Sequence, residues 1–260
     1  MKSIVADALK LKYFPVAVIH TNEKPENAVE FSKGRRGCVP FLLKAASNGK
    51  TGVFSRETYG CIGGGTGLGF GNTYKNFPGG IEYFLSTGNK EFCQTEQGKI
   101  ISQRMHHLKD GEGFHKSPEI SKKFIEQLPI VDIPYEYVVY KPLKDVKEDE
   151  EVKLVIFLAN PDQLSALCVL ANYNRQTRDN VALYFGAGCH QTCLMAYREC
   201  EQEFPKALVG LTDISVRNVF DRDILSFTVP YKMFLEIEDN ANDSNVFLNK
   251  KDWQDILKRN

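Results

Sequence analysis

The side chains in this sequence that could do the most specific chemistry are its seven cysteines. An odd number of cysteines, in a chain that we expect to carry no export signal, argues against a framework of disulfides. No two are spaced as Cys-x-x-Cys, which removes the commonest signature of zinc ribbons and thioredoxin-like sites. Any metal site must therefore be assembled from distant segments. The cysteines are Cys38, Cys61, Cys93, Cys168, Cys189, Cys193 and Cys200.

Four of these cysteines have surroundings that suit a metal ligand. Cys38 and Cys61 lie next to glycine or at the expected start of a helix, where free backbone N–H groups stabilise a thiolate. Cys189 and Cys193 are about one turn apart on an α-helix, so their sulfurs would share one face. The sequence therefore predicts a metal site formed by Cys38, Cys61, Cys189 and Cys193.

Four thiolates at loop and helix starts favour an iron–sulfur cluster of the [4Fe–4S] type, whose sulfides accept hydrogen bonds from backbone N–H groups. A structural zinc ion held by the same thiolates is the alternative. His190 is an alternative ligand to Cys193, while Cys168 and Cys200 are expected in the core and Cys93 in a polar loop. The alternative hypothesis without a metal is that all the thiols are buried and inert.

A run of glycines follows the second cysteine directly, and it includes Gly63, Gly64, Gly65 and Gly67. Glycine at this density indicates a main chain that lies against something a side chain would exclude, so we predict a loop in which these four glycines contact a cofactor. The run lacks the helix and acidic residue of a dinucleotide fingerprint and the Gly-Lys-Ser/Thr end of a P-loop. A non-redox module that binds a small molecule or nucleotide with residues 63–71 is the second hypothesis.

The composition limits the classes of protein to consider. Hydrophobic residues make up 42% of 260 residues, which suffices for a substantial core. Lys and Arg together number 33, as do Asp and Glu, so no excess charge attracts nucleic acid or anionic lipid over the whole surface. No apolar run is long enough to span a membrane. We expect a soluble cytoplasmic protein that binds neither nucleic acid nor membrane.

Short strands and helices must carry these cysteines towards each other. Apolar runs and turn signals predict strands over 16–20, 52–55, 135–140, 152–159, 181–185 and 224–229. The same signals predict helices over 1–11, 38–48, 80–85, 96–108, 117–128, 160–170, 189–203, 230–238 and 250–257. The predicted fold is α/β, or α+β, with a mixed sheet and flanking helices.

The order of these elements suggests an internal duplication within a single domain. Each half runs strand, helix, strand and then a cysteine beside glycine, which is Cys61 in the first half and Cys189 in the second. We predict halves at 14–88 and 152–240, packed about a pseudo-two-fold axis and joined by connecting elements at 89–151, with a terminal helix in 241–260. Such an axis would bring Cys61 and Cys189 together at the junction.

The same residues resemble a known family. Four stretches of the chain carry this resemblance. They are the Pro15-Val16-Ala17-Val18 start, Gly37-Cys38 before a helix, Cys61-x-Gly-Gly with Leu68-Gly69 after it, and the 157–161 strand-to-helix turn. These stretches are similar to domain of unknown function 169, an uncharacterised archaeal and bacterial family. The resemblance covers about residues 14–238. It implies cysteines that act as cluster ligands, at Cys38, Cys61 and Cys189, in hosts that are often anaerobes.

A cluster held by these three cysteines alone would leave one iron open to a small ligand. Arg35 and Arg36 are candidates for lining a pocket for an anionic ligand, with a solvated basic loop as the alternative. The expected partner is a redox protein or a small molecule, and self-association into a homo-oligomer is a further expectation.

Overall fold

One seven-stranded sheet runs through the molecule in a computed structural model that describes residues 1–34, 37–244 and 251–258. The sheet order is β2-β3-β1-β4-β7-β6-β5, and every neighbouring pair is antiparallel except β5 with β6. The strands are β1 Val16–Thr21, β2 Gly52–Ser55, β3 Tyr137–Pro142, β4 Val152–Ala159, β5 Val181–Ala182, β6 Ala207–Gly210 and β7 Leu225–Pro230.

Helices cover both faces of this sheet. They are α1 Ile4–Ala8, α2 Val39–Ser47, α3 Ile62–Gly67, α4 Ile81–Phe84, α5 Lys90–Gln94, α6 Glu96–Ser102, α7 His107–Asp110, α8 Pro118–Glu126, α9 Pro161–Asn172, α10 Met195–Glu199, α11 Tyr231–Asp243 and α12 Lys251–Leu257. Short 3₁₀-helices span Thr73–Asn76, Leu143–Asp145 and Ile214–Val219, and a π-helix spans His190–Leu194. The mixed α/β class predicted from the sequence is confirmed.

Side chains of the central strands alternate between two hydrophobic clusters. Val16 and Val18 of β1 pack into the cluster on one face, whereas Ala17 and Ile19 pack into the cluster on the other. β4 alternates in the same way and is buried on both faces, as its unbroken apolar run predicts. We call the side that holds Val16 and Val18 the first face; residues of α2 and three of the cysteines lie on it.

Local sequence signals explain where α9 begins. Asn160 accepts a hydrogen bond from the backbone N–H of Gln163 at 2.9 Å, and the Gln163 side chain accepts one from the Asn160 backbone at 3.0 Å. This capping box occurs together with Pro161 at the first helical position. The Gln163 amide also donates to the carbonyl of Leu9 at 3.1 Å, which joins the N-terminal segment to α9.

Several predicted elements differ from the observed ones. The strand predicted over 181–185 pairs only at Val181–Ala182, and residues 183–185 leave the sheet as an exposed apolar segment. The helix predicted over 96–108 is wrong, because α6 ends at Ser102 and α7 begins at His107. The strands predicted over 52–55 and 152–159 are confirmed at both ends. No helix among the described residues is long and apolar enough to cross a membrane.

The pseudo-two-fold relation between the halves is not confirmed. β1 and β4, the first strands of the two predicted halves, are adjacent and antiparallel, so a two-fold axis that relates them must be perpendicular to the sheet and lie between them. Rotation about such an axis leaves each helix on its own face of the sheet, so equivalent helices of the two halves would lie on the same face. α2 packs into the cluster of the first face, but its sequence counterpart α9 packs into the opposite cluster. The two strand-helix units therefore cover different sides of the sheet.

Candidate functional site

The glycine run after Cys61 forms a helix rather than the predicted loop. α3 covers Ile62–Gly67, and the Cys61 sulfur caps it by accepting the backbone N–H of Gly64 at 3.2 Å. The backbone N–H of Gly65 bonds the Cys61 carbonyl at 3.1 Å. The loop prediction is therefore wrong. The helical hydrogen bonds also occupy N–H groups that an open loop would have offered to a ligand.

Glycine is needed in α3 because the helix is tightly surrounded. A Cβ on Gly67 would lie 2.6 Å from the Cys189 sulfur, and one on Gly65 would lie 2.7 Å from the Thr73 side chain. A Cβ on Gly64 would lie 2.8 Å from the Tyr59 carbonyl oxygen. These glycines, buried with the first-face cluster, thus let the neighbouring chain approach closely, and only Gly63 of the predicted four lines the cavity described below.

Cys38 and Cys61 are positioned by neighbouring turns. Cys38 precedes α2 in an extended conformation, and its thiol makes no capping hydrogen bond. Gly60 has φ +88°, and a Cβ there would lie 2.6 Å from the carbonyl oxygen of Gly37. The residues directly before the two cysteines are therefore in close contact, which holds both thiols on the same side of the sheet.

Cys189 reaches the same place from the second half of the chain. Its thiol donates to the carbonyl of Gly63 at 3.4 Å, and the Cys61 sulfur lies 3.9 Å from where a Cβ of Gly63 would stand. Both sulfurs therefore lie close to the same residue. Cys38, Cys61 and Cys189 all line a single cavity of about 660 Å³.

Cys193, the fourth predicted ligand, does not line this cavity. Its segment is a π-helix closed by i→i+5 hydrogen bonds, not the α-helix that the sequence predicts. Cys193 is buried beside Tyr140 in the first-face cluster, where burial raises its pKa to about 12. The α-helical spacing used in the sequence prediction is thus absent here.

The other cysteines are dispersed. Cys168 is half-buried against the second cluster, as expected, but Cys200 is exposed rather than in the core. Cys93 lies in the short helix α5 instead of a loop. Arg35 and Arg36, predicted for an anion pocket, lie outside the described residues.

The three cavity thiols are protonated at neutral pH as they stand. Burial, followed by the proximity of Cys61, raises the pKa of Cys38 to about 12. Burial also raises the pKa of Cys61, against the opposing effect of the Gly64 N–H, and it raises that of Cys189 far above its ordinary value, with Cys61 and Cys38 adding to the effect. Without a metal these thiols are poor nucleophiles, because the reactive form is the thiolate.

A tyrosine–histidine pair lies against the same glycine helix. The Tyr74 hydroxyl is 3.1 Å from His190 Nε2, while Nδ1 of His190 has no partner among the described residues. Burial lowers the pKa of His190 to about 4, so its imidazole stays neutral at physiological pH. Both residues line the cavity. The sequence prediction named His190 only as an alternative ligand to Cys193, and it gave Tyr74 no role.

Glu112 is the other cavity residue that sequence reasoning missed. Burial raises the pKa of its carboxyl from 4.5 to about 7, and the nearby charge of Asp213 adds to the shift. Asp213 itself accepts hydrogen bonds from the backbone of Gly188 at 2.9 Å and of Ser215 at 2.9 Å. The Glu112 carboxyl has no hydrogen-bond or ion-pair partner among the described residues.

Replacing Glu112 with glutamine should change how stability depends on pH. A folded-state pKa raised above the unfolded value gives stability that is fully present below about pH 4.5 and is lost as the pH rises through about 7. From about pH 5 to pH 8 the unfolding free energy of the wild type should fall by about 2 kcal/mol more than that of Glu112→Gln. This value is smaller than the full pKa shift would give, because the carboxyl is partly exposed to solvent.

Urea unfolding of both proteins at the two pH values measures this difference. Glu126→Gln is the control, because Glu126 is an exposed acid on α8 that does not line the cavity. Parallel pH profiles for the wild type and Glu112→Gln would contradict the assignment.

Among the described residues, no three His, Cys, Asp or Glu side chains form a group that could hold a metal ion as they are placed. A model of the family called domain of unknown function 169, described as an uncharacterised ArCR, matches residues 4–240. This confirms the resemblance predicted from the sequence. No curated protein and no solved structure matches the chain significantly.

Proposed function

Because this chain belongs to the family of domain of unknown function 169, its function has to be inferred from its own site, and we propose that Cys38, Cys61 and Cys189 bind an iron–sulfur cluster at the cavity wall. The observation that carries this proposal is the presence of three free thiols, from three remote segments, along the wall of one cavity. Thiolate is the ligand that iron–sulfur clusters use almost exclusively.

The donor set favours a cluster over a single zinc ion. A zinc ion needs its ligand atoms about 2.0–2.3 Å from one point, and the thiols as placed do not provide such a point. In a four-iron cluster each cysteine binds its own iron, so the ligand sulfurs stand farther apart. Cys61 and Cys189, whose sulfurs both lie close to Gly63, would bind neighbouring irons of such a cluster.

Burial of the thiols also suits a bound cluster. Protonated thiols give up their protons when a metal binds, and the positive charge of the iron offsets the cost of burying thiolates. The backbone N–H of Gly64 already points at the Cys61 sulfur and would continue to donate to the thiolate. The Cys189 thiol would lose its hydrogen bond to the Gly63 carbonyl, which is a modest cost.

Three cysteine ligands leave one coordination position for the cavity. When bound, such a cluster supplies an iron that can transfer one electron or act as a Lewis acid on a ligand. The cavity walls would exclude water from that ligand, and the Tyr74 hydroxyl with the neutral His190 forms a hydrogen-bonded pair close to the thiols. The proposal does not depend on a duplication, since the cavity draws on both halves of the chain whatever their relation.

Isolation of the protein without oxygen tests this function. We expect brown protein with broad visible absorption, containing iron and acid-labile sulfide. Colourless protein without iron, both as isolated and after incubation with iron, sulfide and a thiol reductant, would overturn the proposal. Zinc in place of iron would support the structural-zinc alternative instead.

A further inference from the structure

The cavity is large enough for an organic ligand as well as for a metal centre. Its volume of about 660 Å³ is within the usual range of small-molecule sites, roughly 300–1,000 Å³. Aromatic rings supply much of the wall: Phe77 packs against Phe84 with 4.8 Å between ring centroids, and Phe124 packs against Phe185 at 5.5 Å. A ligand in this space would be surrounded chiefly by apolar groups.

Glu112 is held rigidly at this wall by the main chain. Its backbone N–H donates to the Phe84 carbonyl at 2.8 Å, and the N–H of Gly113 donates to Ser86 at 3.0 Å. Gly111, directly before it, has φ +73°, and a Cβ there would lie 2.0 Å from the Ser86 carbonyl oxygen. The backbone of Glu112 is thus fixed against residues 84–86, and its side chain takes no part in holding it there.

The charges around the cavity favour a cation beside Glu112. Asp213 adds a second negative charge, already satisfied by backbone donors, while Cys61 and Tyr74 near Glu112 are neutral at physiological pH. The cavity lining also contains four side chains that are cationic or can become so: Arg104, His106, His107 and His115. The first three are exposed at the surface. No described side chain forms an ion pair with the Glu112 carboxyl.

We propose that this cavity binds an organic amine, whose ammonium group meets the Glu112 carboxylate while its apolar body lies against the phenylalanine rings. An unpaired carboxylate in an apolar cavity gains most from a ligand that brings the missing positive charge. The site depends on the cavity and on Glu112, and it does not require the proposed cluster.

Amine binding carries a proton signature. Since the pKa of Glu112 is about 7, its carboxyl is about half protonated at neutral pH, and an ammonium ion favours the ionised form. Binding at pH 7 should therefore release up to about half a proton per ligand, measured by titration calorimetry in buffers of different ionisation enthalpy. Glu112→Gln should abolish that release.

A matched series of ligands tests the proposal: 4-phenylbutylamine, the neutral 4-phenylbutanol and the anionic 4-phenylbutyrate. We expect the amine to bind the wild type at least about 10-fold more tightly than either analogue, the effect of one charge-assisted hydrogen bond. Glu112→Gln should lose this preference, whereas the exposed control Glu126→Gln should keep it.

Equal or tighter binding of the butyrate, or an amine preference retained by Glu112→Gln, would overturn the proposal. The wild-type series alone decides the sign of the preferred charge if the variant does not fold. Titrations are run on protein isolated without oxygen and on protein stripped of iron by a chelator. If the protein contains no cluster, the preference for the amine should still be observed. If neither preparation prefers the amine, the amine proposal is wrong and the cluster proposal is unaffected.

Discussion

Cys61→Ser should lose most of the iron of the protein isolated without oxygen, while its fold is retained. Serine is a good helix cap, so its hydroxyl can accept the Gly64 N–H that the Cys61 sulfur accepts now. Serine is nevertheless a poor ligand for an iron–sulfur cluster, which selects thiolates. Removing a group that only orients a ligand lowers metal affinity roughly 10–100-fold, and removing the ligand should cost at least as much.

Cys38→Ser and Cys189→Ser should behave in the same way, because their thiols line the same cavity. Iron and acid-labile sulfide per chain are the measurements, with circular dichroism to verify folding. Cys168→Ser is the matched control, since Cys168 packs on the opposite face of the sheet. Unchanged iron content in all three cavity variants would show that the metal, if present, binds elsewhere.

Cys193→Ser separates the two ligand sets predicted from the sequence. The structure places Cys193 outside the cavity, so this variant should keep its iron. Loss of iron from Cys193→Ser, with a native circular dichroism spectrum, would favour the original four-cysteine set.

Gly67→Ala should destabilise the protein by about 1–3 kcal/mol, the usual cost of forcing an extra carbon into a packed interior. The new Cβ would lie 2.6 Å from the Cys189 sulfur and 2.8 Å from its Cβ, so the side chain alone cannot rotate away from it. The cysteine segment must move instead. We therefore expect iron content to fall along with the unfolding free energy measured in urea.

Gly63→Ala, in the same helix, is the matched control. The nearest atom to its added Cβ is the Tyr74 hydroxyl at 3.4 Å, which is ordinary contact. Alanine in a helix is favoured over glycine by about 0.5–1 kcal/mol, so this variant should be as stable as the wild type or slightly more stable. Equal stability of the two variants would contradict the close packing of α3 against Cys189.

Elements with strong local signals could be predicted from the sequence. The continuous apolar run of β4, the capping box before α9 and the proline at the start of α2 each act over a few residues, and each gives an element close to its predicted position. The glycine run misled the prediction, because glycine is a poor helix former in isolation. Here the tertiary contacts of Gly64 and Gly67 require a helix without side chains.

The site was predictable only in part for the same reason. Free thiols beside glycine pointed to Cys38, Cys61 and Cys189, which line one cavity. Glu112 and His190 have no local motif, since their chemistry arises from burial by segments far away in the chain. The π-helix at His190–Leu194 likewise has no simple sequence signature, and Cys193 within it is buried in the first-face cluster and does not line the cavity.

The central position of β1 constrains how this protein is made. Both edges of β1 are hydrogen-bonded to strands that come much later in the chain, β3 and β4. A nascent chain leaving the ribosome therefore exposes β1 unpaired until residues 137–142 have been synthesised, which favours slow, late folding and a need for chaperones. Cys189 is translated later still, after five of the seven strands, so any metal centre that uses it must be inserted after that point.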